Sequence, residues 1–537
     1  MTRQLNAAPM WLFGGLAAVV VMSWAYVVFV VDLAYWYHGN EFAELTMGYA
    51  INIDQWLTES IGKGRRSILN NYVSPALPHQ LSGWLAFRLA DGVNFTKTAD
   101  LATATLNDPS RVFLIQRLLV LGLSLFALSR LFILARPLGA SAAMAVAAAL
   151  FIYQPNWEYG VFFLDDPSFG PIAGALFTLA LLSTLGRFQG EAKARDWLWL
   201  GFVGIGAYSI KMHYIAWLLA AGGGLAAAVL VGRLTWRQGI GAALWILLGI
   251  VLGLEILAFF LDGKFTHRDI MKMLSFHASI VFGAETKNLP GAGQDQVFSQ
   301  TLPYQAGILF FMVVAIGSGM TLALFRRRSD MGFIRRTLPM ATVLVLVYAS
   351  GFVMFLKFPS LKYLVSTAAL LPAGVYWLCQ CWEGARWQRF LALPVMAFAL
   401  IAGLGQIGEE QERKAVENRM RMARQDILAL PLAQGEFRLW SYRVLTPEYN
   451  IRLALQWSGD RNYDALVGDR VLPDDREYNV WKGEVRINRE WHRVTQVPWR
   501  YAVFPGQLEE SGLPQPFQGG GHRIVHMGDI SLVERGN

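Results

Sequence analysis

The chain has 537 residues, of which 54% are hydrophobic, 13% aromatic and only 16% charged, where soluble domains carry about 25% charged residues. That deficit, with apolar runs of about 20 residues, excludes an ordinary soluble enzyme and identifies an integral membrane protein. The formal net charge is +8. In a membrane protein such an excess belongs first to the loops on the cytoplasmic side, and no segment has the pattern of a nucleic-acid module.

Taken in order, residues 1–9 carry one arginine, and Trp11 to Val31 is apolar throughout. The apolar core is longer than that of a signal peptide and runs into Tyr-Trp-Tyr, so an uncleaved first span with its N-terminus inside is expected. A long polar loop follows, from about Asp32 to Arg111, opening Asp32-Leu-Ala-Tyr-Trp-Tyr-His38-Gly-Asn-Glu41-Phe-Ala-Glu44. Its middle, Tyr49 to Ile61, predicts an amphipathic helix with Ile51, Ile53, Trp56, Leu57 and Ile61 as apolar contacts. The basic residues Lys63, Arg65 and Arg66 come next. Beyond Pro75, Pro78, His79 and Gln80, the segment Leu81 to Arg88 is too short and too mixed to span, and predicts a helix lying in the membrane interface.

Ten further spans follow, at about Val112–Leu134, Ala140–Tyr153, Phe169–Leu185, Trp197–Ile210, Tyr214–Val231, Ile240–Leu261, Gly307–Phe325, Leu338–Leu356, Leu364–Trp382 and Phe390–Ile407. Arginine and lysine cluster near 136, 187–195, 233–237, 326–336 and 386–389. With the N-terminus inside, these are the even-to-odd connections, as the positive-inside rule requires of cytoplasmic loops. The first loop, the Asp165-Asp166 connection, Lys211–His213, a second long loop at 262–306 and Lys357–Tyr363 then lie outside. So does the tail from 408 to 537. That tail is large enough for one small α+β domain. It begins with a charged helical piece from Glu409 to Leu430. Strands are expected near Phe437–Val444, Asn479–Val480, Val485–Ile487, Arg500–Val503 and Ile524–His526. The chain reads as an all-α polytopic transmembrane domain, 1–407, followed by an extracytoplasmic domain, 408–537. Cys379 and Cys381, two apart in an apolar run, point to different faces of a helix and read as core packing.

The expected outer face collects acids and bases at the ends of several spans. Asp32, with Glu41 and Glu44, follows the first span; as plain structure these are interfacial caps. Asp165-Asp166 precedes Pro167, which is also the pattern of a helix cap. Glu255 lies within the seventh span, where a carboxylate is costly and has either a role or a hydrogen-bonded neighbour. Lys211 with His213, and Lys357 with Lys362, occupy very short outer connections, against the usual charge bias. They read either as snorkelling to lipid headgroups or as a phosphate clamp.

Four stretches resemble the membrane glycosyltransferases of the GT-C superfamily, which include lipid A aminoarabinose transferases and protein O-mannosyltransferases. Asn40-Glu41-Phe-Ala-Glu44-Leu-Thr-Met-Gly-Tyr49-Ala50 resembles their acidic pair ahead of a Tyr-Ala segment. Ser74-Pro-Ala-Leu-Pro78-His-Gln-Leu-Ser-Gly-Trp84 resembles their proline-rich approach to an interface helix. Ser209-Ile-Lys211-Met-His-Tyr214 is similar to the lysine after their fifth span, and Phe358-Pro-Ser-Leu-Lys362-Tyr363-Leu364 to their late short loop. The resemblance implies inverting transfer of a sugar from a polyprenyl-phosphate carrier to an extracytoplasmic lipid, glycan or protein. It implies a multi-pass protein of a bacterial inner membrane with a periplasmic C-terminal domain. The first acid of the family's pair is Asn40 here, so the catalytic base is Asp32 or Glu41; Asp32 sits at the membrane boundary, where a carrier phosphate would lie. Asp165, Asp166 and His38 are the expected sugar or metal contacts. Lys211, His213, Lys357, Lys362, Tyr363, Arg65 and Arg66 are expected at the lipid phosphate. A divalent metal is compatible with Asp165-Asp166, and no other cofactor is implied.

The chemistry is sufficient without the resemblance. One carboxylate takes the acceptor hydroxyl's proton. A polyprenyl phosphate leaves without a protonated acid and needs only cations. Two rival readings are a transporter or flippase, which favours inverted repeats and midplane charges, and a non-catalytic membrane assembly protein acting through its C-terminal domain.

Overall fold

The computed structural model describes residues 8–31, 50–51, 53–54, 57, 76–92, 94, 96–107, 110–162, 166–186, 192–262, 271, 273–275, 302–357, 363–382, 385–441, 474–479, 483–487, 490–518 and 521–536; within these, 98–99, 103, 106–107, 166–167, 261–262, 302–306, 356–357, 385–386, 486 and 490 are described by backbone alone. The chain divides into two compact units, one of Met1–Tyr26, Gly62–Ser82 and Ile115–Ile407, the other of Val27–Ile61, Gly83–Leu114 and Gly408–Asn537.

The helices of the apolar part are α1 (Met10–Ala25, extended by a π turn over Tyr26–Val31), α2 (Leu77–Asp91), α3 (Thr98–Asn107), α4 (Ser110–Ala135) and α5 (Ala140–Ala148). They continue as α6 (Gly170–Thr184), α7 (Ala194–Tyr208), α8 (Ile215–Leu230), α9 (Trp236–Asp262), α10 (Leu302–Arg326), α11 (Met331–Lys357), α12 (Leu371–Cys381) and α13 (Ala385–Leu428). A helix stands at each of the eleven positions where a span was expected. Among the described residues seven are long and apolar enough to cross a membrane, and Ala140–Phe151, Gly170–Thr184 and Val365–Cys381 are shorter apolar helices. The short ones are the buried ones: along α6 and α12 nearly every side chain is covered by protein. On α9, by contrast, Leu244, Leu247, Leu248, Val251 and Leu252 are all exposed. An apolar stripe of that length is a lipid-facing surface.

Small residues set the closest helix approach. A Cβ on Gly201 of α7 would strike the Ile246 carbonyl of α9, and one on Gly249 of α9 would strike the Leu198 carbonyl of α7. Gly249 and Gly253 are four apart, so both lie on the face that meets α7 and let the two backbones touch. Cys379 and Cys381 are both buried in α12 and form no disulfide.

The expected basic connections gather at one end of this bundle. Arg233, after α8, donates to the carbonyls of Leu185, Thr184 (3.3 Å) and Arg336 (3.4 Å). The Arg326 guanidinium lies 5.9 Å from the Trp382 ring centre. Arg136 donates to the Ala8 carbonyl at 2.7 Å. Lys211 and Tyr363 stand at the other end, since α6 begins near them at Gly170 and finishes beside Arg233.

In the second unit, Ile51, Ile53 and the carboxylate of Asp54 are fully buried. Asp54 accepts the Trp84 indole at 3.0 Å and pairs with the guanidinium of Arg88, which also donates to the Thr96 carbonyl at 2.9 Å. A helix, α2, therefore stands where the short segment Leu81 to Arg88 was expected to be helical, and it is held through Trp84 and Arg88. The last predicted span and the charged helical piece after it form one helix, α13, of 44 residues. Its polar half carries Glu, Arg, Gln, Met and Ala, all strong helix formers, so nothing interrupts the turn.

Among the described residues the C-terminal sheet has seven strands: β1 (Phe437–Ser441), β2 (Asp475–Asn479), β3 (Glu484–Ile487), β4 (Glu490–Arg493), β5 (Trp499–Pro505), β6 (Arg523–Met527) and β7 (Ile530–Glu534). Their order is β4-β3-β2-β1-β5-β7-β6, with β1 parallel to both β2 and β5 and the other pairs antiparallel. Alternation along β1 sends Trp440 to one face, with Ala423 and Ile427 of α13, and Leu439 to the other, with Tyr478, Phe504 and Phe517. Five of these strands were expected. β4 and β7 were not, although Gly528-Asp529 between β6 and β7 is a two-residue hairpin turn, with Gly528 at φ 60°.

Candidate functional site

The site is built on the turn between α7 and α8. The α7 helix ends at Tyr208, and Lys211 adopts an extended backbone (φ −157°, ψ 144°) before a 3-10 turn over Met212–Tyr214. The Lys211 amide still reaches the Ala207 carbonyl at 3.4 Å, and the Tyr214 amide the Lys211 carbonyl at 3.2 Å. The turn is thus pinned at both ends, and it turns the Lys211 side chain inward: only 8% of the residue is exposed.

Burying an ammonium is costly and demands compensating groups. Lys211 Nζ lies 5.5 Å from the centre of the Tyr363 ring, a cation–π contact. His213, 6% exposed, stacks on Tyr214 at 4.6 Å and meets the Tyr363 ring edge-on at 5.5 Å. Tyr214 in turn packs against Trp217 at 4.7 Å. The Trp217 indole donates to the Ser366 carbonyl at 3.2 Å, and the Ser366 hydroxyl to the Tyr363 carbonyl, also at 3.2 Å. One aromatic chain therefore joins the 211–217 turn to the short helix Val365–Ala368.

Two other segments close on this cluster. A 3-10 turn over Asp166–Phe169 leads into α6, and a Cβ on Gly170 would meet the Tyr214 hydroxyl and a Val365 methyl. Only glycine allows the chain after the aspartate pair to come so near Tyr214. From the other side, the Leu77 amide donates to the Ser209 carbonyl at 3.2 Å. Ala76, which precedes it, has φ 42°, a left-handed conformation that costs a non-glycine residue about 1 kcal/mol. The first turn of α2 is then fastened to α4: Gln116 donates to the His79 carbonyl (3.1 Å) and the Ser82 hydroxyl (3.0 Å).

Of the residues expected at a lipid phosphate, Lys211, His213 and Tyr363 come together here. Asp166 and Lys357 are described by backbone alone, Asp166 opening the 3-10 turn before α6 and Lys357 ending α11. Asp32, His38, Glu41, Arg65, Arg66, Asp165 and Lys362 lie outside the described residues. Glu255 is half-buried on α9. Trp217, Gln116 and Ser366 were not singled out from the sequence, and Tyr214 entered only as the end of the Ser209–Tyr214 stretch and the start of a span, with no role. Gln116 carried a usable signal, being a polar residue inside an apolar span. Among the described residues, no group of three or more His, Cys, Asp or Glu side chains is placed to hold a metal.

Chemically, the cluster is a buried cation beneath aromatic rings, next to an imidazole and a helix start, in a protein with a lipid-facing surface. It suits an anion with an apolar tail: the lysine and helix start take the charge, and the rings exclude water. No protein-family model matches the sequence, and no curated protein matches it. Among solved structures, the chain is similar over 98% of its length to 98% of ArnT from Cupriavidus metallidurans bound to undecaprenyl phosphate, with 14% identity and a TM-score of 0.41. The apo state of that protein gives 15% identity and a TM-score of 0.35, over 97% of this chain and 98% of that one. The archaeal oligosaccharyltransferase AglB from Archaeoglobus fulgidus, in complex with an inhibitory peptide and a dolichol phosphate, gives 11% identity and a TM-score of 0.42, over 92% of this chain and 69% of that one. At these values the likeness assigns no role to any residue.

Proposed function

We propose that the chain is a GT-C-type glycosyltransferase that moves a sugar from a polyprenyl-phosphate carrier to an extracytoplasmic acceptor. The observation that carries this reading is Lys211, buried beneath Tyr363 beside His213 at the end of the bundle away from the basic connections. By the positive-inside rule that basic end faces the cytoplasm of a bacterial inner membrane, so the cluster and the C-terminal domain face the periplasm.

In the reaction, an acceptor hydroxyl oxygen attacks the anomeric carbon as the bond to the carrier's phosphate oxygen breaks. The hydroxyl proton goes to the carboxylate of Asp32 or Glu41. The bonding electrons leave on the polyprenyl phosphate, whose charge is met by Lys211 and His213 with Arg65, Arg66, Lys357 and Lys362. Asp165, Asp166 and His38 contact the sugar or a divalent metal, and Tyr363 covers the lysine. The test is transfer from a polyprenyl-phosphate sugar in membranes holding the full chain. Loss of transfer in Lys211→Met, with partial retention in Lys211→Arg, supports the reading, and unchanged transfer in Lys211→Met removes it. Full activity in both Asp32→Asn and Glu41→Gln would discard the base assignment alone.

A further inference from the structure

The basic end of the bundle holds a second feature that the proposed transfer does not use. A cavity of about 440 Å³ opens where α6 and α8 finish and α7, α9 and α11 begin. Its rim is polar: Arg233, Arg336 and Gln238. Its depth is apolar: Gly241, Trp245 and Trp197. Trp245 is seven positions beyond Gln238 on α9, about 10 Å along the helix axis. The cavity therefore runs from a cationic mouth down into the apolar layer.

Each part of the wall is held in place. Arg233 is fixed by the carbonyls of Thr184 and Leu185 at the end of α6. The Arg336 Nε–H donates to the Gly332 carbonyl at 3.0 Å, one turn back on α11. The start of α9 is closed by a reciprocal pair, Thr235 N–H to Gln238 Oε1 at 2.9 Å and Gln238 N–H to Thr235 Oγ1 at 3.3 Å. Among the described residues two guanidinium groups line the cavity and no carboxylate does. A cationic rim over an apolar slot, between helices at the membrane surface, has the complementarity of one ligand class. An anionic phosphodiester meets the arginines while the chain attached to it descends past the tryptophans.

We propose that this cavity binds an anionic phospholipid, with its phosphodiester between Arg233 and Arg336 and the head of an acyl chain along Gly241 and Trp245. A Cβ at Gly241 would meet nothing within 4 Å, so a larger side chain there fills the slot without displacing backbone. It also replaces a poor helix former with a good one.

The experiment follows thermal unfolding of the full chain in neutral detergent with added phosphatidylglycerol, phosphatidylcholine or soluble glycerol phosphate. Phosphatidylglycerol is expected to raise the melting temperature by about 3 °C or more, as a ligand bound only to the folded state does. Phosphatidylcholine and glycerol phosphate are expected to leave it within about 1 °C, which is well under the shift that specific binding produces. Gly241→Leu and Arg336→Gln should each lose more than half of the phosphatidylglycerol shift. An equal shift from phosphatidylcholine overturns the charge requirement, and an equal shift from glycerol phosphate overturns the lipid in favour of a bare phosphate. If Gly241→Leu does not fold, the surface variant Arg336→Gln decides alone, and a full shift in it overturns the proposal.

Discussion

The two ends of α6 carry positive charge in opposite ways. At its finish, the planar guanidinium of Arg233 reaches the Thr184 and Leu185 carbonyls, which the helix itself leaves without partners. At its start, near Gly170, the Lys211 ammonium sits beneath Tyr363, and its neighbour in the fold is an imidazole. The C-terminal sheet repeats the first arrangement. There Arg438 donates to the Leu428 and Leu430 carbonyls at the end of α13, at 3.0 and 3.2 Å, and pairs with Asp475 across β1 and β2 at 3.3 Å. An arginine spread over helix-end carbonyls is held by the fold, whatever else it then meets. On the proposed function, the buried lysine under a ring meets the carrier's charge.

That contrast can be broken experimentally, and the largest effect is expected at Lys211. Lys211→Met should lower transfer from a polyprenyl-phosphate sugar by about 10²–10³-fold at equal amounts of folded protein, the usual cost of losing one preorganised charge contact. A smaller loss than in Arg233→Gln would put the two cations in the same class. Next, Asp475→Ala leaves the Trp440 indole, 2.7 Å from Asp475, without that acceptor and the buried Arg438 guanidinium without its counter-ion. Denaturant unfolding should show a loss of about 3 kcal/mol. Arg233→Gln removes the caps of α6 and should cost about 2 kcal/mol by the same measurement.

The pH dependence of the sheet is smaller and has a definite sign. Burial pushes the Asp475 carboxyl above its usual 3.8, against the opposing Trp440 hydrogen bond and Arg438 charge. The folded state therefore takes up its proton at a higher pH than the unfolded chain does. Stability contributed by this group rises as pH falls through the folded value and levels off below about 3.8. Measured against Asp475→Asn, which cannot titrate, the natural protein should gain relative stability on acidification over that window. The smallest effect is expected at Tyr478. Its hydroxyl is pushed up to about 12 by burial and has no hydrogen-bond partner among the described residues. Tyr478→Phe should leave unfolding unchanged or stabilise it by up to about 1 kcal/mol, since it removes an unsatisfied polar group.

The bundle was legible because hydropathy and loop charge are local signals. The expected clusters near 233 and 326–336 do meet, through the Arg233 bond to the Arg336 carbonyl. The length of α13 was not read, because the change from apolar to charged at Glu409 looks like a boundary, while the backbone follows helix propensity and continues. Lys211, His213 and Tyr363 could be picked out as residues in short connections, but not as neighbours. Their meeting depends on Gly170 admitting Tyr214 and on Trp217 reaching Ser366, and neither distance has any trace in sequence spacing. The Gly249-Gly253 spacing was not drawn on in the sequence reading; small residues four apart mark a face of close helix approach, but only the structure shows that α7 fills it.

The Trp217–Ser366 hydrogen bond spans 149 positions of sequence, and Trp157 reaches the Ala399 carbonyl across 242. A chain made at about 5–20 residues per second leaves Trp217 waiting roughly 7–30 s for its acceptor. During that interval a large buried indole is already inserted and its final partner has not been synthesised. The short helix Val365–Ala368 therefore acts as a keystone in time as well as in space: the lysine end of the bundle reaches its final form only after two-thirds of the protein has left the ribosome.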